Sequence, residues 1–359
     1  MNSEEATDRF LIVRLGAIGD VAHTLPCLHA IRAAHPDAYI AWLVEELSAP
    51  LLRDHPELDE IFVIPKKRWR KNFWKTLLSE QRPFVKNLRS RRFDFAFDFQ
   101  GLTKSGIWAW LSGARVRVGY GDKDGREFNK WFTNVKVRPS AKRRHVVERN
   151  LSLLSAIQIQ PKDARGILSV NDNDRKAADD FLSARGLAPS DKVVAINPGA
   201  GWITKQWIPE KISALASRIA TELKLPVVLT WGPGEEKLLE KVMSKIRPEA
   251  REKVWLAPKT SLREFVALLD RVRVFVGGDT GPTHLAAAKG IPIVAFFGGS
   301  DAHRNAPYLR RRVVVQKREV RCVPCWKTKC KNKNFMECMK KIEVEELFRG
   351  VKSLLGIRL

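Results

Sequence analysis

Four short stretches set glycines between an apolar run and a helix-like run: RLGAIGD (14–20), NPGAGWITK (197–205), TWGPGEE (230–236) and GGDTGPTH (277–284). Glycine lets backbone N–H groups approach an anion closely, and a helix N-terminus adds its dipole. Lys205 follows the second turn, and its compact ammonium suits the charge that builds on a leaving diphosphate. Asp279 opens the last turn. It reads as an N-cap, worth about 1 kcal/mol, or as the entrance to an anion site. In that site Thr280 and Gly281 present backbone amides, and His284, one turn into the helix, donates to a phosphate. Asp20 reads equally as an N-cap or as a general base that takes a hydroxyl proton. A turn that only connects two elements is the plain alternative for any one stretch; repetition in two halves of the chain points to a ligand. The first turn does not match Gly-x-Gly-x-x-Gly, and no Walker lysine-serine pair occurs, which argues against a dinucleotide dehydrogenase and a P-loop enzyme.

The elements that must position these residues alternate. RFLIV reads as a buried strand, followed by a glycine turn, a helix start at Asp20 and an amphipathic helix running on to Pro36. AYIAWLVEE, LDEIFVIP and FDFAFDFQG read as further strands, with a basic helical segment before the last. After a polar stretch, 168–192, the pattern restarts at VVAINPGAG and continues through PVVLTWGPGEE, SLREFVALLDRV and VFVGGDTGPTHLAAAKG. Strand-helix alternation in two halves predicts α/β domains with parallel sheets. Two such halves facing each other would leave a cleft at the carboxyl ends of their strands, where open α/β sheets bind ligands.

The chain's 359 residues are enough for two cores, and its 44% hydrophobic and 29% charged composition is that of a globular protein. Its net charge of +24 favours anionic partners. The excess is clustered: residues 66–92 hold 11 Lys/Arg against the single Glu80, and a second cluster runs from Arg304 to Lys341. A charge run is usually a solvated face. Trp69, Phe73 and Trp74 are interleaved here, which suits an interfacial surface or an anionic saccharide. The acidic, polar start MNSEEATDRF does not read as a signal peptide, and no run approaches the ~20 apolar residues that span a bilayer; a cytoplasmic location is expected. Cys27 reads as a core residue. Cys322, Cys325, Cys330 and Cys338 begin with a C-x2-C pair compatible with a structural tetrahedral zinc, though no second such pair follows. Four unliganded thiols are the alternative.

Taken together these residues resemble glycosyltransferase family 9, the lipopolysaccharide heptosyltransferases. The resemblance covers nearly the whole chain: RLGAIGDVAHTLP, FDFAFDFQGLTKSG, GREFNKWF, HVVERN, NPGAGWITKQW, FVGGDTGPTHLAAA and the late cysteines. KKRWRKNFW and GREF are more similar to heptosyltransferase I than to heptosyltransferase II. The resemblance implies a GT-B fold of two Rossmann-like domains: an acceptor domain over 1–172, a nucleotide-sugar domain over 173–341, and a C-terminal helix, 342–359, packing back on the first domain. It implies inverting, metal-independent transfer of heptose from ADP-heptose to the inner Kdo of Kdo2-lipid A, by a monomer peripheral to the cytoplasmic face of the inner membrane. No nucleic-acid partner is expected. Family roles then fall on matching residues: Asp20 as base; Lys205, Asp279, Thr280, Gly281 and His284 at the donor phosphates; Thr260 and Leu262 at the adenine; Glu235 at the ribose. Lys67, Arg70, Lys71 and Arg126 would grip the acidic acceptor. Some heptosyltransferases I carry hydroxyl side chains where this chain has Ala200 and Gly201, which leaves the phosphates to backbone amides or Thr204. Another donor sugar or a later core acceptor is the nearest alternative; a nucleic-acid-binding protein and a lipid-surface module without catalysis are the others.

Overall fold

A computed structural model describes residues 7–121, 125–140 and 145–357. The chain divides into two compact units, Met1–Ser169 and Val170–Leu359. The first is built on strands β1 (Arg9–Val13), β2 (Tyr39–Glu45), β3 (Glu60–Ile64), β4 (Phe95–Asp98), β5 (Val116–Tyr120) and β6 (Val135–Val137). The second uses β7 (Val193–Asn197), β8 (Val227–Leu229), β9 (Val254–Leu256), β10 (Val272–Gly277), β11 (Ile293–Phe297) and β12 (Arg312–Gln316). The sheet orders are β3-β2-β1-β4-β5-β6 and β9-β8-β7-β10-β11-β12, and every pairing is parallel. Both units therefore have the doubly wound 3-2-1-4-5-6 order, which reverses between β1 and β4 and again between β7 and β10. A crevice at the carboxyl ends of the strands is available at each reversal.

The central strands are apolar except at their ends, as expected where helices cover both faces. All five residues of β7 and of β11 are buried. Phe62, Trp69, Leu88 and Phe93 join the first core. In the second, Trp207 and, from the Pro209–Glu222 helix, Ile212, Leu215 and Ile219 join the core with strand residues.

Two details differ from the sequence expectations. The helix after the first turn is broken: it runs Ile18–Ala22 and starts again at Leu25–Ala34. Pro26 has no N–H to give the Ala22 carbonyl, so the first segment cannot continue through it. The C-terminal helix, Val344–Leu355, lays Leu347, Phe348, Val351 and Leu354 into the second core. Arg218 of the Pro209–Glu222 helix holds it through Glu345 at 2.7 Å. Its apolar face is thus used within the second unit.

Candidate active site

In the second unit the turns after β7 and β10 meet at the point where strand order reverses. Asn197 and Gly277, the last residues of these strands, are register partners. The Asp279 carboxylate is nearly inaccessible and collects three donors: Lys205 Nζ at 2.7 Å and Asn305 Nδ2 at 3.3 Å on Oδ2, and His284 Nε2 at 3.0 Å on Oδ1. Burial by itself would raise its pKa, but the hydrogen bond and charge of His284 and the ammonium of Lys205 outweigh it and hold the carboxyl well below the usual range. Lys205 Nζ also lies 4.6 Å from the centroid of the Trp202 ring. Asp279 is not the N-cap. Thr280 takes that position for the Gly281–Ala288 helix in extended conformation, and its hydroxyl reaches Asn197 Oδ1 at 3.4 Å.

Two glycines bring the turns together. A Cβ on Gly278 would stand 2.7 Å from the Lys205 carbonyl, and one on Gly199 would fall within 2.1 Å of the Glu235 carboxylate. The first is a contact with backbone, which only glycine admits without moving the turn; the second is with the end of a side chain that a larger residue would push aside. Glu235, on the turn after β8, also accepts the Gly232 N–H at 2.9 Å. Its pKa is raised chiefly by burial, with the Gly232 N–H opposing and Glu236 adding. Thr260 and Leu262 lie half-buried at the turn after β9, where Ser261 caps the Leu262–Leu269 helix. The neighbouring turn is tied to this one by Trp231 Nε1, which donates to the Ala257 carbonyl at 2.8 Å.

Thr204 is placed differently from the sequence expectation. Its hydroxyl is buried and donates to the Lys327 carbonyl at 2.6 Å, while its own carbonyl accepts the Gly299 N–H at 3.0 Å. It braces the turn against the cysteine-bearing loop. Cys322, Cys325, Cys330 and Cys338 line one cavity of about 110 Å³ beside it. Among the described residues, however, no three His, Cys, Asp or Glu side chains come together as metal ligands, so the zinc suggested by spacing is not supported. Burial, with the other three thiols adding and the Met339 N–H opposing, pushes Cys338 up to about 11.

In the first unit Asp20 is the third residue of the Ile18–Ala22 helix, not its cap. Its Oδ2 accepts the Ala17 N–H at 3.1 Å and its Oδ1 pairs with Arg14 Nη2 at 2.7 Å. The carboxylate remains 43% exposed and can accept a further proton donor. Lys67, Arg70 and Lys71, on the Lys66–Lys71 helix, line a groove of about 880 Å³ with Glu45, Glu46, Leu47 and Lys66. Glu45 pairs with Lys66 at 2.9 Å and Lys104 at 3.3 Å. Arg126 is exposed on a separate loop, anchored by its N–H to the Gly101 carbonyl at 2.9 Å, and does not join the groove-lining set. Buried Asp98 orders both loops. It accepts the Gln100 and Gly101 N–H groups at 3.0 Å each and the Ser105 hydroxyl at 2.9 Å; Gln100 Oε1 in turn accepts the Leu15 N–H at 3.1 Å. Desolvation raises the Asp98 pKa against these hydrogen bonds.

Sequence reasoning missed Arg14, Asn197 and Asn305. Arg14 had a local signal, a charged residue ending a buried strand before the glycine turn. Asn305 had none, because only the fold brings it to Asp279.

Residues 81–336 match the family model described as glycosyltransferase family 9 (heptosyltransferase). The chain belongs to glycosyltransferase family 9. A lipopolysaccharide heptosyltransferase 1 of Pseudomonas aeruginosa is 30% identical to this family 9 chain over 90% of it and 87% of the relative. The lipopolysaccharide core heptosyltransferase OpsX of Haemophilus influenzae is 27% identical over 98% of both. The Escherichia coli heptosyltransferase WaaC, solved with ADP, superposes with a TM-score of 0.74 at 24% identity, covering 96% of this chain and 99% of that one. The fold of this family 9 glycosyltransferase is accordingly GT-B.

Proposed function

We propose that this family 9 enzyme transfers heptose from ADP-heptose to the inner Kdo of Kdo2-lipid A with inversion and no catalytic metal. It would act as a monomer at the cytoplasmic face of the inner membrane. The observation that carries the donor half is the Lys205–Asp279–His284 assembly where the second sheet reverses: a cation held at a glycine turn, beside a helix N-terminus, is built for a diphosphate. Lys205 would neutralise the leaving ADP, the Thr280 and Gly281 amides would take phosphate oxygens, and Asp279 would fix Lys205 and His284 without touching the anion. Glu235 would accept the ribose hydroxyls, and Thr260 and Leu262 would flank the adenine. Asp20 would take the proton of the attacking acceptor hydroxyl. Lys67, Arg70 and Lys71, with Arg126, would hold acceptor carboxylates and phosphates. The names of the relatives support the donor and the lipopolysaccharide class of acceptor; the exposed Asp20 carboxylate and the basic groove support an acidic acceptor in the first unit.

The test is ADP release from ADP-heptose with Kdo2-lipid A or its deacylated form, for wild type, Asp20→Ala and Lys205→Ala. Acceptor-dependent release is expected from the wild type. Asp20→Ala should lose ~10²–10⁴-fold in kcat, the range of a general base. Lys205→Ala should lose ~10²–10³-fold, as for an electrostatic ligand of the leaving group. Release only with a heptosylated core acceptor would move the assignment to a later transfer in the same family.

A further inference from the structure

We propose that Arg14 and Asn150 are positioning residues that clamp the Ile18–Ala22 helix at its two ends and so aim the Asp20 carboxylate. The inference rests on the reading of Asp20 as the base. It also gives a purpose to HVVERN, a stretch that the donor and acceptor sites leave unused.

A helix of five residues has too few internal hydrogen bonds to hold its own orientation, and Pro26 prevents it from growing. Its direction must be imposed from outside. At the N-terminal side, Arg14 meets Asp20 Oδ1 at 2.7 Å. Arg14 is itself immobilised. Its Nη1 donates to the Phe99 carbonyl, its backbone N–H to the Leu43 carbonyl at 3.3 Å, and its own carbonyl accepts Trp42 Nε1 at 3.1 Å. At the C-terminal side, Asn150 Nδ2 donates to the His23 carbonyl at 3.1 Å and to Thr24 Oγ1 at 3.2 Å. The Thr24 hydroxyl donates in turn to the Asp20 carbonyl at 2.9 Å. Asn150 is fully buried, and its Oδ1 accepts the Tyr120 hydroxyl at 2.6 Å. The His23 carbonyl sets which end of the amide faces the helix, since only the Nδ2 end can donate to it, and the Tyr120 hydroxyl satisfies the Oδ1 that is left. Arg14 and Asn150 are too buried to reach an acceptor, so any effect on chemistry passes through the helix and Asp20.

Asn150→Asp keeps the volume but replaces the donor facing His23 with an acceptor. Arg14→Gln removes the charge at Asp20, and Arg14→Lys keeps it. The measurements are kcat with the soluble deacylated acceptor, acceptor KM, ADP affinity by calorimetry, and the thermal midpoint. We expect kcat to fall about tenfold to a hundredfold in Asn150→Asp and Arg14→Gln, the cost of misplacing a reacting group by about 1 Å. Arg14→Lys should recover part of the loss, and ADP affinity should stay at the wild-type value. Tyr120→Phe, which loses a single hydroxyl, is read in the same way if a stronger variant does not fold. Wild-type kcat in folded variants overturns the clamp. So does a rise in acceptor KM with kcat unchanged, or a loss that falls equally on ADP affinity. A fully active Asp20→Ala would remove the base itself, a failure of the functional reading distinct from a failure of the clamp.

Discussion

At the scale of single residues, Asp279 carries the clearest electrostatic consequence. Its depressed folded pKa means that its pairing with Lys205 and His284 stabilises the fold fully above the unfolded carboxylate value, about 4. The stabilisation drains away as pH falls below that value toward the lower folded pKa. Asp279→Asn should therefore cost about 3–5 kcal/mol at neutral pH, as for a buried ion pair deprived of one partner. Denaturant titrations should show the gap between wild type and variant constant above about pH 4 and narrowing below it; a gap that widens on acidification would contradict the assignment. The residue types here were legible in the sequence, but their division of labour was not. Asp279 and His284 stood out as anion contacts, yet Asp279 spends its oxygens on Lys205, His284 and Asn305. Asp20 and Asp279 both read as caps, because a carboxylate before a helical run has that appearance whatever it binds.

At the scale of elements, the second sheet makes a site out of turns, and the turns depend on close approach. Gly278 packs its Cα toward the Lys205 carbonyl and the Phe296 ring. The carbonyl is backbone and cannot swing aside, so Gly278→Ala must displace the Lys205 turn. The expected result is a folded protein with ADP affinity lowered about tenfold or more, since a displaced ligand forfeits its charge-assisted contact. Calorimetry beside a circular dichroism melt checks this; unchanged affinity would show that the turn does not carry the donor. The strands were legible because buried parallel strands are continuous apolar runs. The break between Ala22 and Leu25 was not, although Pro26 was in plain view, because apolar periodicity runs across it.

At the scale of the whole molecule, charge and exposed apolar surface share one region of the first unit. Trp74 and Leu78, about one turn apart after the basic helix, are 82% and 65% exposed, and the Phe73 ring meets the Trp74 ring at 5.2 Å. Lysines and arginines flank them, each worth ~1 kcal/mol at an anionic bilayer. If this region carries the proposed membrane contact, the wild type should sediment with phosphatidylglycerol vesicles, less so at high salt. Trp74→Ser with Leu78→Ser should reduce that binding while leaving transfer to the soluble deacylated acceptor intact. Equal sedimentation of variant and wild type would place the contact elsewhere.

From the sequence by itself came two α/β halves, the glycine turns at their strand ends, the basic aromatic segment and the family. All of these are local or periodic properties, written in neighbouring residues. Only the tertiary structure decided that Asn305 reaches Asp279, that Thr204 is spent on the Lys327 carbonyl, and that the cysteines line a cavity without gathering as ligands. It likewise decided that the last helix packs into the second core, and that Arg14 and Asn150 hold the short helix of Asp20 from either end. Most of these join residues far apart in the chain, as Thr204 to Lys327, Asn150 to His23 and Arg218 to Glu345, and no spacing within a motif encodes such a contact.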